Sequence, residues 1–520
     1  MSNFKTFSML SILTILLKLS CLSFSQISVE PKFFGVVAPT TPILSGFVTT
    51  KNTQFLLNGA PFLFNGFNSY WMMHIAANPD ERNKVSEVFH DASAAGLTVC
   101  RTWAFTDGGD LALQISPGVY DERVFQALDF VVSEAQRHGV RLILSLVNNY
   151  NDYGGRAQYA EWGKSAGVEI KNDDDFYTDA TLRQYYKNHV MRVLSRVNTI
   201  TKTAYKDDPT IMAWELINEP RCESDDTGKT IQAWVQEMAT YVKSIDSKHL
   251  LEIGMEGFYG DSIPEKKQIN PGYQVGTDFI ANNLVREIDF ATIHAYPDIW
   301  LAGQTEYEQL IFAQRWMATH WIDSKTILRK PLVFSEFGKS NKDQGYTING
   351  RNLFLNTVYK SIYNFAINGG SVGGGLVWQI VAAGMETYYD GYEIVLSQNP
   401  STAGLIAGQS LKMAVLGRML NAPRTPYFGR VPRSHYIFGH KKAHTHRNNH
   451  PSPPNHRNNH HHHSNHHLNH NHQNNQHGGI GGGSDHKPTI EANNWAFLHH
   501  HPTPAWPFKP SLPQEKRLKD

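Results

Sequence analysis

Two glutamates, Glu219 and Glu336, stand at the ends of short apolar runs in a chain with many aromatic residues. Paired carboxyl groups suit the cleavage of a glycosidic bond, because one can protonate the leaving oxygen while the other stabilises the oxocarbenium-like carbon. When the two lie about 5 Å apart, one acts as nucleophile and the other as acid and base, with retention of configuration. The nucleophile must stay ionised, and Arg101 and His294 are candidates to hold its pKa down.

Rigid elements must position these side chains. From residue 61 onward, short apolar runs alternate with longer amphipathic segments. The runs predict eight strands, at residues 62–68, 98–104, 141–147, 211–218, 250–254, 289–294, 331–336 and 373–378. The segments predict eight helices, at residues 81–95, 123–137, 182–197, 231–245, 277–285, 307–321, 351–367 and 403–420. Strands that are apolar on both faces and alternate with helices indicate a parallel α/β sheet, and eight repeats predict a closed (β/α)8 TIM barrel with long βα loops.

The start of the domain and the main alternative fold are also visible in the sequence. Residues 47–56 predict an N-terminal hairpin before the first barrel strand. The alternative is an open, doubly wound sheet, which often has a Gly-rich phosphate-binding turn after an early strand. The glycines at residues 154–155 and 373–375 lack the G-x-G-x-x-G spacing of that turn, so the barrel is favoured.

In such a barrel, active-site residues come from the carboxyl ends of the strands. The predicted strands end in polar or aromatic residues, namely Arg101-Thr102-Trp103, Asn148-Asn149-Tyr150, Asn218-Glu219-Pro220, His294-Ala295-Tyr296, Ser335-Glu336 and Trp378. We interpret Trp71, Trp103 and Trp378 as stacking surfaces for sugar rings, which have apolar faces, rather than as core residues. Glu215 lies in the same run as Glu219 without a supporting motif, and we interpret it as a structural ion-pair partner.

These residues, at these spacings, resemble glycoside hydrolase family 5, and specifically the plant endo-β-1,4-mannanases, over residues 45–425. The resemblance is carried by Arg101-Thr102-Trp103-Ala104-Phe105, Trp214-Glu215-Leu216-Ile217-Asn218-Glu219-Pro220, His294-Ala295-Tyr296-Pro297, Ser335-Glu336-Phe337-Gly338 and Trp378. An Asn-Glu-Pro tripeptide alone is weakly specific, whereas the whole set in this order is highly specific. The resemblance implies a retaining endo-glycosidase that hydrolyses internal β-1,4-mannosidic bonds of mannan, glucomannan and galactomannan, without a cofactor or a metal.

The resemblance also implies a role for each residue around the reacting bond. Glu219 would be the proton donor and then the base, and Glu336 would be the nucleophile. Arg101 and Tyr296 would orient Glu336 and tune its pKa. His294 would lie beside the acid/base residue and the sugar.

Three further positions would contact the substrate. Asn218 would hydrogen-bond the hydroxyl at C2 of the sugar next to the cleavage point. Trp378 would be the stacking platform under that sugar, and Trp103 would also contact substrate. Many family members carry histidine after the third strand, where this chain has Asn148; the departure concerns a supporting residue and leaves the carboxyl pair intact.

Charge divides the chain into two unlike regions. From Arg424 onward there are 12 Lys+Arg and 4 Asp+Glu, a net charge of +8, together with 19 of the 26 histidines, so the first 423 residues carry −7. A mildly acidic globular region excludes a strongly basic nucleic-acid-binding protein. The single long apolar run excludes a polytopic membrane protein.

That apolar run, residues 7–17, follows Lys5 and precedes small residues at 23 and 25. This layout predicts a signal peptide at residues 1–25, and hence a secreted, extracellular protein of the cell wall with no membrane attachment after cleavage; an uncleaved anchor is the alternative. An extended lead-in is predicted at 26–45, the catalytic barrel at 46–427 and a His/Asn-rich tail at 428–520. We expect a monomer with β-mannan as its partner. Cys100 and Cys222 could form one disulfide or stay as thiols, and a buried thiol is favoured for Cys100.

The composition of the tail cannot offset the entropy of ordering it, so we expect disorder there. Its imidazoles would bind zinc, copper or nickel weakly, or would act as a pH-switched cationic tether to acidic wall polymers. A functionless extension and a gene model that reads past the true stop are the alternatives. For the whole protein, two other functions stay open: a family relative that cuts β-1,4-glucan with the same carboxyl pair, and a non-catalytic metal- or wall-binding protein that acts through the tail.

Overall fold

The computed structural model describes residues 44–421. The predicted signal peptide, the tail and nearly all of the lead-in lie outside the described residues. Within the described part of the chain, no helix combines the length and the apolar character needed to cross a membrane.

Eight parallel strands form the centre of the fold. They are β1 (Phe64–Asn68), β2 (Val99–Trp103), β3 (Arg141–Ser145), β4 (Ile211–Glu215), β5 (Leu250–Glu252), β6 (Ala291–Ala295), β7 (Leu332–Phe337) and β8 (Val372–Val377). All residues of these strands are buried, as expected for strands covered on both faces. All eight predicted strands are confirmed. β3 and β4 end earlier than expected. Asn148 and Glu219 lie in the loops that follow them.

The strands close into a barrel rather than an open sheet. β8 pairs with β1, and the ladder then runs from β1 through β2, β3 and β4 to β5 on one side and from β8 through β7 to β6 on the other. Between β5 and β6, the backbone N–H of Asp289 donates to the carbonyl of Leu251 at 2.8 Å, and the Asp289 carboxylate accepts from the backbone N–H of Leu251 at 2.8 Å. This arrangement excludes the doubly wound alternative.

A helix follows each strand. These helices are α1 (Arg82–Ala94), α2 (Glu122–His138), α3 (Ala180–Leu194), α4 (Lys229–Ile245), α5 (Phe279–Asn283), α6 (Glu306–Asp323), α7 (Ile348–Ile367) and α8 (Pro400–Asn421). All eight were expected from the amphipathic segments, and local capping explains the bounds of some of them. At α2, for example, the Asp121 carboxylate accepts from the backbone N–H of Arg123 at 2.8 Å, and Gly139, with φ of +71°, ends the helix in the left-handed conformation.

The predicted N-terminal hairpin pairs Val48–Lys51 with Gln54–Leu57, and Ala60–Pro61 adds a third short strand. Phe55 packs against Phe64 of β1 and against Phe290, with ring centroids 6.0 and 5.2 Å apart. The hairpin therefore covers the amino-terminal end of the barrel, opposite the ends from which the candidate site residues project.

Several loops carry structure that the sequence patterns do not predict. The loop after β2 contains a hairpin of Gln114–Ser116 and Val119–Tyr120, and the loop after β3 contains helices Gly155–Ser165 and Asp175–Thr178. Short helical segments also occur at Met72–Ala76, Pro79–Glu81, Tyr205–Asp207, Pro264–Ile269, Pro297–Trp300, Ser324–Leu328 and Glu386–Tyr388. Cys100 and Cys222 are both buried free thiols, which confirms the favoured expectation for Cys100.

Candidate active site

The barrel brings Glu219 and Glu336 together from opposite sides of the ring. Glu219 lies in the loop after β4, and Glu336 lies in β7. One oxygen of each carboxyl group and a ring nitrogen of His294 all lie within 4.8 Å of one another. This separation is in the range of about 5 Å at which one carboxylate attacks the anomeric carbon directly, rather than through a water molecule.

Glu336 is held at both of its oxygens. Nη1 of Arg101 donates to Oε1 at 2.5 Å, and the hydroxyl of Tyr296 donates to Oε2 at 2.6 Å. Nδ1 of His294 lies 3.6 Å from the same Oε2. These contacts fix the carboxylate in one orientation, and each of them favours its ionised form.

Glu219 occupies an unusual backbone position. Its φ is +49°, in the left-handed region that residues with a side chain rarely adopt. Its backbone N–H donates to the carbonyl of Gly254 at 2.8 Å, and its carboxyl group hydrogen-bonds Nδ1 of His294 and the hydroxyl of Tyr150. The strained backbone at this position is typical of residues whose orientation is part of a mechanism.

Arg101 lies at the centre of the network and is fully buried. It makes a two-point ion pair with Glu215, from Nε at 2.5 Å and from Nη2 at 2.7 Å. Nη2 also donates to Oδ1 of Asn218 at 2.6 Å, and Nδ2 of Asn218 donates to Oδ1 of Asn148 at 3.0 Å. The interpretation of Glu215 as a structural ion-pair partner is confirmed, and Asn148 orients the residue that is expected to contact the sugar.

Burial is the largest influence on the pKa values of the carboxyl pair. Burial raises the pKa of Glu336 to about 7, while His294 and Arg101 lower it and the negative charge of Glu219 raises it further. Burial also raises the pKa of Glu219, against a lowering by Arg221. Arg101 and His294 therefore both lower the pKa of Glu336, as expected, although burial outweighs them and the pKa stays raised.

A cleft of about 500 Å³ opens above the two carboxyl groups. It is lined by Tyr70, Trp103, Asn148, Tyr150, Asp152, Tyr153, Asn218, Glu219, Glu336, Trp378 and Asp390. The structure therefore places Trp103, Trp378 and Asn218 at the cleft, where the sequence predicts substrate contacts. No motif predicts Asp152 or Asp390, because each is an isolated acidic residue in a loop.

Four other predicted site residues do not line the cleft. Arg101, His294 and Tyr296 are fully buried behind the carboxyl groups, so they act on the glutamates rather than forming the cleft surface. Trp71 is also fully buried, and its ring packs 6.3 Å from that of Tyr388. The prediction that Trp71 contacts substrate is wrong, because Trp71 lies beneath the cleft as a core residue at the start of helix Met72–Ala76.

The same cluster is the only place in the described part of the chain where three potential metal ligands converge, at Glu219, His294 and Glu336. The surrounding donors do not favour a cation. The oxygens of Glu336 already accept from Arg101 and Tyr296, and the guanidinium charge of Arg101 repels a second cation at this distance. The chemistry of the cluster is therefore that of paired carboxyl groups.

Comparison with known proteins agrees with this geometry. The model of the family described as GH family 5 beta-mannosidase-like matches residues 45–392. Mannan endo-1,4-beta-mannosidase 5 of Solanum lycopersicum is 65% identical over 375 residues, which cover 72% of this chain and 91% of that protein. Mannan endo-1,4-beta-mannosidase 7 of Arabidopsis thaliana is 52% identical over 383 residues, covering 73% of this chain and 89% of that protein. The crystal structure of an endo-1,4-beta-mannanase from Rhizomucor miehei has a TM-score of 0.60 at 30% identity, covering 71% of this chain and all of that one.

The matched region includes the carboxyl pair, its buried supports and every residue that lines the cleft. The fold, the separation of the carboxyl groups and the family match thus agree over the same residues. The chain belongs to glycoside hydrolase family 5, within its beta-mannosidase-like group, and is a glycoside hydrolase.

Proposed function

We propose that the protein is a secreted, retaining endo-β-1,4-mannanase that cuts internal bonds of mannan, glucomannan and galactomannan in cell-wall polysaccharide. The observation that carries the proposal is the short separation of Glu219 and Glu336, which lies within 4.8 Å. At that distance a nucleophile reaches the anomeric carbon from one side while an acid reaches the leaving oxygen. The names of the plant relatives, mannan endo-1,4-beta-mannosidases, support mannan as the substrate.

In the first step, Glu336 attacks the anomeric carbon as Glu219 protonates the leaving oxygen. Burial raises the pKa of both carboxyl groups, so the free pair retains a proton near neutral pH. That proton belongs on Glu219, because Arg101 and Tyr296 donate hydrogen bonds directly to Glu336 and so favour its ionised form. The products are a covalent glycosyl ester on Glu336 and a free sugar hydroxyl.

In the second step, Glu219 changes from acid to base. The negative charge on Glu219 raises the pKa of Glu336, and this coupling is reciprocal. Esterification of Glu336 removes a negative charge and therefore lowers the pKa of Glu219. Glu219 then takes a proton from a water molecule that attacks the anomeric carbon, which releases Glu336 with overall retention of configuration.

Product analysis tests the substrate. The purified protein should release short oligosaccharides from galactomannan and glucomannan and none from carboxymethylcellulose. Release from carboxymethylcellulose instead of mannan would support the β-1,4-glucanase alternative.

Two isosteric substitutions test the chemistry. Glu336→Gln removes the nucleophile and Glu219→Gln removes the exchangeable proton, so each should abolish hydrolysis. Glu161→Gln, at a glutamate whose side chain is 62% exposed, is the matched control and should leave hydrolysis unchanged. Hydrolysis that persists in Glu336→Gln would contradict the assignment of Glu336 as the nucleophile. Absence of hydrolysis in the unaltered protein would favour the non-catalytic alternative.

Secretion needs its own measurement. Expression in a plant cell culture should place the protein in the medium, with a mass that corresponds to loss of residues 1–25. The same mass shows whether the His/Asn-rich tail is retained. A protein that stays associated with membranes and keeps its N-terminus would contradict the proposal of secretion.

A further inference from the structure

Asp390, in the loop after β8, is a buried carboxylate at the edge of the cleft. It is 4% exposed and lines the cleft together with the catalytic pair. Its Oδ2 accepts from the ring N–H of Trp378 at 2.7 Å and from the side-chain amide of Gln379 at 2.7 Å. Its Oδ1 accepts from the backbone N–H of Tyr392 at 2.8 Å.

An ionised carboxylate satisfies all three of these donors with charge-assisted hydrogen bonds. A carboxylate offers acceptors alone, whereas an asparagine side chain has one acceptor oxygen and one NH₂ donor. With asparagine at position 390, the NH₂ group would face either the Tyr392 N–H or the donors of Trp378 and Gln379. Protonation of Asp390 commits one lone pair to the proton and removes the negative charge that strengthens the three hydrogen bonds.

The contact to Trp378 matters because it is the one hydrogen bond that this side chain can make. The indole has a single polar group, the ring N–H. One face of the ring is held by Tyr70, which stacks at 5.6 Å with an interplanar angle of 9°, and Trp103 lies 6.3 Å away at 45°. Stacking constrains the plane of the ring more than its position within that plane, and the bond to Asp390 adds a directional constraint on that position.

We propose that Asp390 is a positioning residue whose ionised carboxylate fixes the Trp378 ring as the platform for the sugar, so that oligosaccharide binding weakens when Asp390 is protonated. The inference rests on the proposed function, because it takes a β-1,4-linked mannooligosaccharide as the ligand.

The environment of Asp390 places this protonation in an accessible pH range. Burial raises the pKa of Asp390 to about 6, the hydrogen bonds from Tyr392, Trp378 and Gln379 lower it, and the charge of Glu393 raises it. The titratable groups that face it are Tyr70 from the loop after β1 and Tyr392 and Glu393 from its own loop. Both tyrosines have a raised pKa and stay neutral below pH 8. The platform is thus fixed above about pH 6 and released below it.

The test measures binding of mannotetraose by calorimetry with the full chain carrying Glu336→Gln, which prevents hydrolysis and removes the titration of the nucleophile. The dissociation constant should rise about tenfold between pH 7.5 and pH 5.0, as expected for the loss of one charge-assisted hydrogen bond. With Asp390→Asn added, binding should be weak at both pH values. Equal pH dependence with and without Asp390→Asn would overturn the proposal, whatever other groups titrate in that range.

Two further variants separate positioning from a general loss of structure. Glu386→Gln removes an exposed carboxyl group from the same loop, and it should keep both the affinity and its pH dependence. Trp378→Phe removes the ring N–H, so adding Asp390→Asn to it should weaken binding no further; an additive loss in this double-mutant cycle would overturn the proposal.

The proposed function is tested separately by hydrolysis with the unaltered chain. If that protein cuts cello-oligosaccharides and not mannan, the assignment of mannan fails. Binding of cellotetraose is then measured with the same variants. The pH dependence of the dissociation constant, with and without Asp390→Asn, decides the positioning role on that ligand.

Discussion

Glu215 and Glu252 are buried neighbours that should respond in opposite ways to the same substitution. Both are fully buried, and they are direct partners across the parallel pair of β4 and β5. Glu215 is ion-paired to Arg101 at 2.5 and 2.7 Å. Glu252 accepts from the backbone N–H of Gly254 at 2.5 Å and from the hydroxyl of Thr292 at 3.1 Å, and both of those donors are uncharged.

Their pKa values move apart for this reason. Burial acts against ionisation of Glu215, but the charge and hydrogen bonds of Arg101 prevail and lower its pKa. Burial and the negative charge of Glu215 raise the pKa of Glu252 well above its usual range. The neutral form of Glu252 is therefore favoured, and in that form its carboxyl O–H can donate a hydrogen bond to Glu215.

The magnitudes follow from what each substitution leaves behind. In Glu252→Gln, the amide NH₂ replaces the carboxyl O–H as the donor to Glu215, so the free energy of unfolding near pH 4.5 should change by less than about 1 kcal/mol. In Glu215→Gln, the guanidinium of Arg101 loses its charged partner while it stays buried. The unfolding free energy should then fall by about 3–5 kcal/mol at pH 7.

The pH dependence of the unfolding free energy should have opposite signs for the two glutamates. The unfolded chain ionises Glu252 above about pH 4.3, whereas the raised pKa delays its ionisation in the folded chain. Wild-type stability therefore falls as the pH rises between the unfolded and folded pKa values, by up to about 1.4 kcal/mol per pH unit through this group alone. Glu252→Gln lacks this loss and should become more stable than the wild type as the pH rises from 5 to 7. For Glu215, with a lowered pKa, the contribution is present above about pH 4.3 and is lost as the pH falls.

Urea unfolding at pH 5, 6 and 7, followed by tryptophan fluorescence, measures these differences from midpoints at equal slope. A Glu252→Gln variant that is less stable than the wild type by more than about 2 kcal/mol at pH 7 would refute the reasoning, because it would show that the ionised form is the one that the fold stabilises.

Three other outcomes test the active site. Trp378→Phe and Trp103→Phe should each raise KM for mannan several-fold. Trp71→Phe should leave KM unchanged and lower only the thermal midpoint, because Trp71 is fully buried beneath the cleft. A changed KM in Trp71→Phe would contradict its assignment to the core. Arg101→Lys should lower kcat by more than about tenfold, because an ammonium has three donors in place of five; near-normal kcat would show that charge alone suffices. The alkaline limb of kcat/KM should report loss of the proton that the buried pair retains on Glu219, because burial raises the pKa of both carboxyl groups and activity falls once that proton is lost; activity that stays constant from about pH 5 to about pH 9 would contradict that shift.

The barrel and most of its site could be predicted because the relevant signals are local. Continuous apolar runs mark strands buried on both faces, and the residue that ends each run lies at the same end of the barrel. The number of strands was therefore enough to predict that Asn218, Glu219 and Glu336 lie together. The ends of β3 and β4 could not be predicted from the sequence, because residues 146–147 and 216–217 stay buried and apolar after the strands end.

The remaining features depend on contacts between distant parts of the chain. Asp390 has no motif, and its role exists only because the loop after β8 folds back onto Trp378 at 2.7 Å. Trp71 follows β1 like a site residue, yet the short helix Met72–Ala76 begins directly after it and the ring is directed into the core. The pKa of Glu336 depends on how completely the fold removes it from water, which no spacing of residues reveals.

The arrangement of charge around Arg101 explains how one cation can pair with two carboxylates while Glu336 stays nucleophilic. Arg101 gives two hydrogen bonds to Glu215 and one to Glu336, and its raised pKa keeps it charged. If Glu252 were also ionised, the buried negative charge beside Arg101 would exceed its single positive charge by two, at a large cost. Protonation of Glu252 removes one of those charges. Glu215 then anchors the guanidinium from two of its nitrogens, and the single bond to Glu336 orients that carboxylate while leaving it enough negative charge to attack carbon.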